Sequence, residues 1–402
     1  MRFNIQNIRQ DFPILNTGIV YLDNAASSLT PEPVVQKMVE YYHEYRSNVE
    51  RGLYKTSQRA SEEVEKARAK IASFINSRSD SEIIFTKNST ESVNIVASGL
   101  TWRKGEKIIT TLLEHHSNFI VWLRVKQKHC VNVDIVHPDG YGLVNLSDVE
   151  KAVNDHTKLV AVTHVSNVLG VILPIKEIVE IAHDHGALVL VDGAQSVPHL
   201  NVDVQRLGCD FLVFSGHKMC GPTGLGVLYI KQELLDRIEP LCIGGGVISD
   251  VGADYYRLEK SPAKFEAGTP PIAEAIGLGA AVDYLKNVGM KNIENHERNL
   301  TERIFETLIN IPNVRIYGPE PKDKVGITSF NVGESNPHDV ALAFDVSGDI
   351  MVRSGHHCAM PLVKDILKEN RGTVRASTYL YNTEEEVEKF TSTLSKLASQ
   401  FA

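Results

Sequence analysis

Near its C-terminal end the chain reads RSGHHCAMP (353–361), with Cys358 directly after two histidines in a sequence that holds five cysteines in all. A buried structural thiol does not need that company. A nucleophilic one gains from it, because a neighbouring imidazole that turns toward the sulfur favours the thiolate. Four further stretches carry chemistry. VDGAQS (191–196) presents Asp192. SGHKMCGPTGLG (215–226) presents Lys218, a nucleophile once burial strips its proton. EHHSN (114–118) presents two imidazoles, and HVSN (164–167) ends on the amide of Asn167.

The elements that must position these groups follow from the periodicity. Apolar runs at IIF (83–85), KIITT, VNVDIV, KLVAVTHV, ALVLVD (187–192), DFLVFS (210–215) and GVLYI (226–230) alternate with amphipathic stretches such as SEEVEKARAKIASFI, where Val64, Ala67, Ile71 and Phe74 share one helical face. The first of these strands is read as SEIIFT (81–86). Several runs lack polar alternation, which predicts a parallel sheet buried on both faces. Such sheets bind ligands beyond the carboxyl ends of their strands. Asp192, Lys218, His115 and Asn167 all follow strands. From about residue 290 the pattern changes to a charged helix, then VRIYG, ITSFNV, IMVRSG and TVRAST mixed with the helices HDVALAF and EEEVEKFTSTLSKLA, which predicts a smaller α+β unit. The helical stretch 270–311 bridges the two. The expected division is an N-terminal segment 1–20 packing with the small domain, a large domain 21–285 and a small C-terminal domain 286–402.

The totals set limits. The 402 residues are 43% hydrophobic and 23% charged, with a net charge of −8. That length suggests two domains. No basic surplus favours nucleic acid. The N-terminal MRFNIQNIRQDFPILN has no apolar core of signal-peptide length, and no run approaches the ~18 apolar residues of a membrane span. The cysteines Cys130, Cys209, Cys220, Cys242 and Cys358 are odd in number and scattered. A disulfide framework or metal site is not expected, and a reduced cytoplasmic compartment is. No G-x-G-x-x-G follows a strand, and no G-x-x-x-x-G-K-[ST] occurs, so neither a conventional dinucleotide nor a P-loop nucleotide is expected.

Taken singly, Asp192 reads as a turn or cap, Lys218 as a solvated loop residue and His115 and His116 as surface groups. Taken together at the ends of strands in one sheet, they match pyridoxal 5′-phosphate. That cofactor needs a lysine for its Schiff base and an acid facing its pyridinium nitrogen. NSTES (88–92), after a strand, supplies a hydroxyl-rich helix N-terminus for a phosphate, with Asn88 and Glu91 at capping-box spacing. Cys209 and Cys242 read as inert buried thiols, and Cys220 as packing beneath the lysine loop.

YLDNAASS, EHHSN, HVSNVLG, VDGAQSVPH, SGHKMCGPTGLGVLY, FEAGTP and RSGHHCAMP, in this order over nearly the whole chain, resemble the cysteine desulfurases, most closely the Suf-type branch, within the class V aminotransferase group of fold-type I pyridoxal-phosphate enzymes. The resemblance implies a large domain with a mainly parallel sheet sandwiched by helices plus a smaller α+β domain. It implies Lys218 as the Schiff-base lysine, His115 stacked on the ring, Asp192 at the pyridinium nitrogen and Gln195 near the ring hydroxyl. Thr90, Ser215 and His217 would hold the phosphate, with Thr269 reaching it from the other subunit of a homodimer. Asn167 and Arg375 would bind substrate and Arg353 would support that region. Cys358 would take sulfur from L-cysteine as a persulfide, leave L-alanine, and pass sulfur to an acceptor or scaffold protein in iron–sulfur cluster assembly.

Two stretches depart from the family pattern. NVERGLY places Glu50 and Tyr54 where members commonly carry histidines, with Arg51 retained, and KNSTE replaces RGTTE while keeping a hydroxyl pair and the glutamate. The competing readings are a selenocysteine lyase using the same residues, an aminotransferase, which would not need Cys358, and a non-catalytic sulfur-relay scaffold, against which an intact Lys218 and Asp192 argue.

Overall fold

The structure, a computed structural model, describes residues 3–50 and 52–400. Arg51 lies outside the described residues. Fifteen strands follow in chain order: β1 (Val20–Tyr21), β2 (Ile83–Thr86), β3 (Lys107–Thr111), β4 (Asn132–Val136), β5 (Thr157–Thr163), β6 (Leu188–Asp192), β7 (Phe211–Ser215), β8 (Gly226–Ile230), β9 (Ile248–Val251), β10 (Tyr256–Leu258), β11 (Val314–Tyr317), β12 (Ile327–Val332), β13 (Ile350–Met351), β14 (Arg353–Gly355) and β15 (Thr373–Ser377).

Seven of them build the central sheet in the order β2-β8-β7-β6-β5-β3-β4. β8 runs antiparallel to both its neighbours, and every other pairing is parallel. β2, β3, β5, β6 and β7 therefore end on the same side of the sheet. β6, β7 and β8 show why they sit centrally: their apolar residues are buried on both faces, whereas Asn132 at the outer edge strand is exposed. Two apolar layers flank the sheet. One gathers Val160, Val162, Val191, Phe214 and Leu278 with the helix Ile272–Val288, and the other gathers Ile84, Trp122, Leu190 and Phe211.

The second sheet, β11-β12-β15-β14, is antiparallel throughout. It packs Phe330 against Phe344 and Phe390 from the helices Pro337–Gly348 and Glu384–Gln400. Its register sets Arg353 of β14 opposite Arg375 of β15, which puts the two guanidinium side chains on one face.

Three local expectations are revised. The strand SEIIFT starts at Ile83, because Ser79 accepts the Ser81 N–H while the Glu82 carboxylate accepts the Ser79 N–H, and this reciprocal cap holds Asp80–Glu82 as a 3₁₀ turn. The stretch 270–311 is two helices, Ile272–Val288 and Met290–Leu308, separated by Gly289 at φ +89°. That conformation disfavours any residue with a Cβ and ends the first helix there. IMVRSG is split: β13 pairs in parallel with β1, and β14 joins the second sheet.

Candidate active site

The shared ends of β2, β3, β5, β6 and β7 open onto a cavity of about 400 Å³. Its lining includes Thr90, His115, Asn167, Asp192, Gln195, Ser215, His217, Lys218, Arg353, Cys358 and Arg375. The sequence-predicted site residues thus converge, with one exception. Thr269 lies in a different cleft of about 230 Å³ beside Asn48, Val49 and Glu50.

Asp192 is the last residue of β6 and is 4% exposed. Its Oδ1 accepts the Ala194 N–H at 3.0 Å. Burial raises its pKa, and that backbone donor and the Lys218 ammonium oppose the rise. Lys218 ends the 3₁₀ turn Gly216–Lys218 after β7. Packed protein pushes its pKa down to about 8, with Asp192 opposing and Arg375 adding to the fall. A nucleophilic amine therefore exists at a useful fraction near neutral pH. The His115 pKa falls to about 3, mainly through burial and then through the charge of Lys218. Its Nδ1 accepts the Ser117 N–H at 3.1 Å, so the neutral ring carries its proton on Nε2.

A hydroxyl cluster sits at the start of the helix Ser89–Gly99. Asn88 caps it by accepting the Glu91 N–H at 3.0 Å. Glu91 reaches the Lys87 N–H at 2.6 Å rather than that of the cap residue itself, so the capping box is shifted by one residue. The Ser215 hydroxyl accepts the Ser89 N–H at 3.0 Å, and the Thr90 and Ser117 hydroxyls meet at 2.6 Å. Gly226 of β8 lets the strand pass this turn, because a Cβ there would stand 2.5 Å from the Asn88 Cα.

The second sheet closes the cavity. Arg375 is 3% exposed; its Nη1 donates to the Asn167 carbonyl at 2.8 Å and its Nη2 to Asp23 at 3.1 Å. Arg353 approaches the same carboxylate at 3.6 Å. Cys358 is exposed. The imidazoles of its two histidines do not serve it as the sequence reading allowed. His357 Nε2 lies 3.0 Å from the Thr373 hydroxyl and His356 Nε2 lies 3.1 Å from the Asn370 carbonyl, since both rings find partners in the segment that leads into β15. Lys218 and Arg375 line the same cavity as Cys358 instead.

Cys209 and Cys220 are buried as expected, and burial pushes the Cys209 thiol up to about 12 and the Cys220 thiol higher still. Cys242 is exposed, contrary to the expectation, because it follows Leu241 in an irregular surface segment rather than a strand.

Asp23, Ser89 and Ser117 escaped assignment. Asp23 lay inside the quoted stretch YLDNAASS, but nothing in its spacing ties it to arginines more than 300 residues away.

The cavity also holds unspent hydrogen-bonding capacity. Asn167 Oδ1, Gln195 Oε1, Arg375 Nε and His357 Nδ1 are buried without partners, all on lining residues. Buried polar atoms are rarely left unpaired unless a ligand meets them. Acceptor oxygens for a ring hydroxyl or ammonium, a guanidinium for a carboxylate, a hydroxyl-lined helix start for a phosphate and a lysine facing an acid together fit pyridoxal phosphate and an amino acid.

Residues 20–390 match the model of the aminotransferase class-V family. A relative from Methanothermobacter thermautotrophicus, named "Probable cysteine desulfurase", is 48% identical over 395 residues, covering 98% of both chains. The solved apo structure of a cysteine desulfurase from Thermococcus onnurineus NA1 is 47% identical with a TM-score of 0.95, covering 100% of this chain and 99% of that one. The S-sulfonic acid form of the Escherichia coli cysteine desulfurase CsdA is 33% identical with a TM-score of 0.93, at 100% and 99% coverage. The chain belongs to the aminotransferase class-V family.

Proposed function

We propose that the chain is a pyridoxal-phosphate-dependent cysteine desulfurase that converts L-cysteine to L-alanine and carries the sulfur on Cys358. The observation that carries this reading is one cavity lined by an acid, a lysine and an accessible thiol: Asp192, Lys218 and Cys358. An aminotransferase has no use for the third.

Lys218 would anchor the cofactor covalently, Asp192 would face its ring nitrogen, His115 its ring and Gln195 its hydroxyl. Thr90, Ser215 and His217, with Ser89 and the helix start, would hold its phosphate. When bound, the cofactor supplies an electron sink that makes the substrate Cα–H acidic. Lys218, with a pKa near 8, is suited to take that proton and return it. Arg375 and Asn167 would hold the substrate carboxylate, and Arg353 would steady Asp23 beside them.

Sulfur transfer belongs to Cys358. Its thiolate attacks the substrate Sγ, an S–S bond forms and the Cβ–Sγ bond breaks. The electron pair of the broken bond stays with Cβ, which takes a proton. One cysteine and one enzyme thiol give one alanine and one enzyme persulfide, with no outside oxidant.

The same reading includes a homodimer. Thr269 and Glu50 share a cleft outside the main cavity, as fits a residue that serves the neighbouring subunit. It includes the domain division at 285/286, with a separate apolar cluster around Phe330, Phe344 and Phe390 under the second sheet, and with residues 1–20 as a strap. Arg9 pairs with Glu386 at 2.8 Å while Phe12 packs on Tyr284. The exposed thiol suits delivery to an acceptor protein for iron–sulfur cluster assembly. Five unpaired cysteines suit the cytoplasm. Among the described residues no helix is long and apolar enough to cross a membrane.

The test is Cys358→Ala. The cofactor absorbance and its response to L-cysteine persist, while alanine and sulfide release fall by orders of magnitude, as when a group required by mechanism is removed. Cys220→Ala, remote from solvent, keeps its activity. Near-normal sulfide release by Cys358→Ala refutes the reading and makes selenocysteine the substrate to try.

A further inference from the structure

The loop that carries Cys358 is strained. His357 and Cys358 lie at φ +50° and +55°, two consecutive side-chain-bearing residues in left-handed conformation. Such residues persist only where surrounding contacts over-determine them. The contacts divide by side. Toward the N-terminus, the Asn167 amide donates to the His357 carbonyl at 2.7 Å, and the His357 and His356 rings are held by Thr373 and Asn370. Toward the C-terminus, besides the turn bond from the Ala359 N–H to the His356 carbonyl at 2.8 Å, two anchors come from one residue on another segment. The His116 N–H donates to the Cys358 carbonyl at 2.6 Å, and His116 Nε2 accepts the Met360 N–H at 3.1 Å.

His116 adjoins His115, whose ring lines the cavity. The turn 114–118 is itself pinned to the sheet. The buried Glu114 carboxylate accepts from the Thr111 hydroxyl at 2.7 Å, the Asn118 amide at 2.6 Å and the Thr163 N–H at 3.0 Å. This turn therefore connects the sheet floor, the cavity and the thiol loop in five residues. Nε2 can accept from Met360 only in a neutral ring protonated on Nδ1. Partial burial and the facing His356 both lower the His116 pKa and keep the ring in that state.

We infer that His116 is a positioning residue for sulfur transfer: it clamps the Cys358 loop across Met360 and Cys358, and so ties the reach of the thiol to the turn that places His115. The inference rests on the persulfide reading above. His116 touches neither substrate nor cofactor in this role, and its effect falls on the transfer step rather than on amino-acid binding. The loss of one hydrogen bond from a strained loop slows that step about five- to tenfold.

The experiment compares His116→Phe, which keeps a ring but no acceptor, with His116→Gln, whose amide oxygen can take the Met360 N–H. Rapid mixing of the holoenzyme with L-cysteine follows the cofactor absorbance change on binding, and mass spectrometry follows persulfide on the Cys358 peptide. His116→Phe is expected to leave the absorbance change and the KM within about twofold while persulfide formation slows about five- to tenfold; His116→Gln recovers most of the rate. In the protein without substrate, hydrogen exchange of the 356–360 amides quickens in His116→Phe and not in His116→Gln. Persulfide formation in His116→Phe at the wild-type rate overturns the clamp, as does an equal loss in both variants. If His116→Phe does not fold, an unprotected Met360 amide in the wild-type protein overturns it on its own. Absence of persulfide in the wild-type enzyme is a different failure and sinks the desulfurase reading.

Discussion

Asp192→Asn should change the protein in opposite directions with and without cofactor. The substitution keeps shape and the hydrogen bond from Ala194 N–H, and removes only the charge. In the bare fold that charge is a liability: the residue is 4% exposed and burial raises its pKa. A carboxyl whose folded pKa exceeds the unfolded one binds its proton more tightly in the native state. Stability accordingly falls as pH rises from the unfolded value, ~4, through the folded one, and the penalty persists at neutral pH. The apoprotein of Asp192→Asn should therefore melt higher than wild type at pH 7, and the difference should vanish in acid below both values.

With Asp192 in its proposed role, facing a protonated ring nitrogen of the bound cofactor, the sign would reverse. Removing one partner of a buried ion pair costs about 3–5 kcal/mol, which at 1.4 kcal/mol per decade is about 10²- to 4 × 10³-fold in turnover. Asp192 also raises the Lys218 pKa, so its loss lets that amine titrate below about 8. Calorimetry of the apoprotein at two pH values and alanine release by the holoenzyme are the assays. An apoprotein less stable than wild type at pH 7, or turnover within tenfold of wild type, refutes the argument.

Two other outcomes follow from the same geometry. Arg375→Lys loses the planar fork that reaches Asn167 and Asp23, so kcat/KM for L-cysteine should fall about 10- to 100-fold, the worth of one charge-assisted hydrogen bond. Unchanged cofactor absorbance, with the loss confined to saturation kinetics, is the check. Dilution followed by ultracentrifugation and absorbance should show cofactor retention weakening as dimer gives way to monomer, because Thr269 lies outside its own chain's main cavity; a monomer that keeps full affinity removes the shared site.

The strand-end logic made much of the site legible. Parallel strands place their C-terminal turns together, so Asp192, Lys218, His115 and Asn167 could be grouped before any distance was known. Apolar runs without alternation gave the buried strands β6, β7 and β8 for the same reason. The sheet order was not legible, because β8 reverses direction between β2 and β7 and nothing in GVLYI encodes its partner. Nor was the split of IMVRSG between two sheets. Side-chain direction was the other blind spot. Adjacent histidines suggested help for Cys358, yet left-handed backbone at His357 and Cys358 accompanies rings bonded to Thr373 and Asn370, and the cations that share its cavity are Lys218, Arg353 and Arg375. Long-range pairs such as Asp23 with Arg375 leave no periodic trace.

With Arg375 in its proposed role at the substrate carboxylate, Asp23 also bears on why the cavity would accept an amino acid rather than any amine. An unpaired guanidinium buried as deeply as Arg375 would be costly. Asp23 meets that cost with one oxygen at 3.1 Å from Nη2, and Arg353 holds the same carboxylate at 3.6 Å. Nη1 is spent on a neutral carbonyl and Nε has no partner. The guanidinium is thus neutralised but not saturated. A substrate carboxylate can take Nε without expelling Asp23, and Arg353 supplies the second positive charge that keeps two nearby carboxylates from repelling each other. A substrate lacking the carboxylate would leave Nε buried and unmatched. Arg353 and Arg375 against the single carboxylate of Asp23, with Lys218 in the same cavity, leave a positive surplus that suits an anionic cofactor and an α-carboxylate.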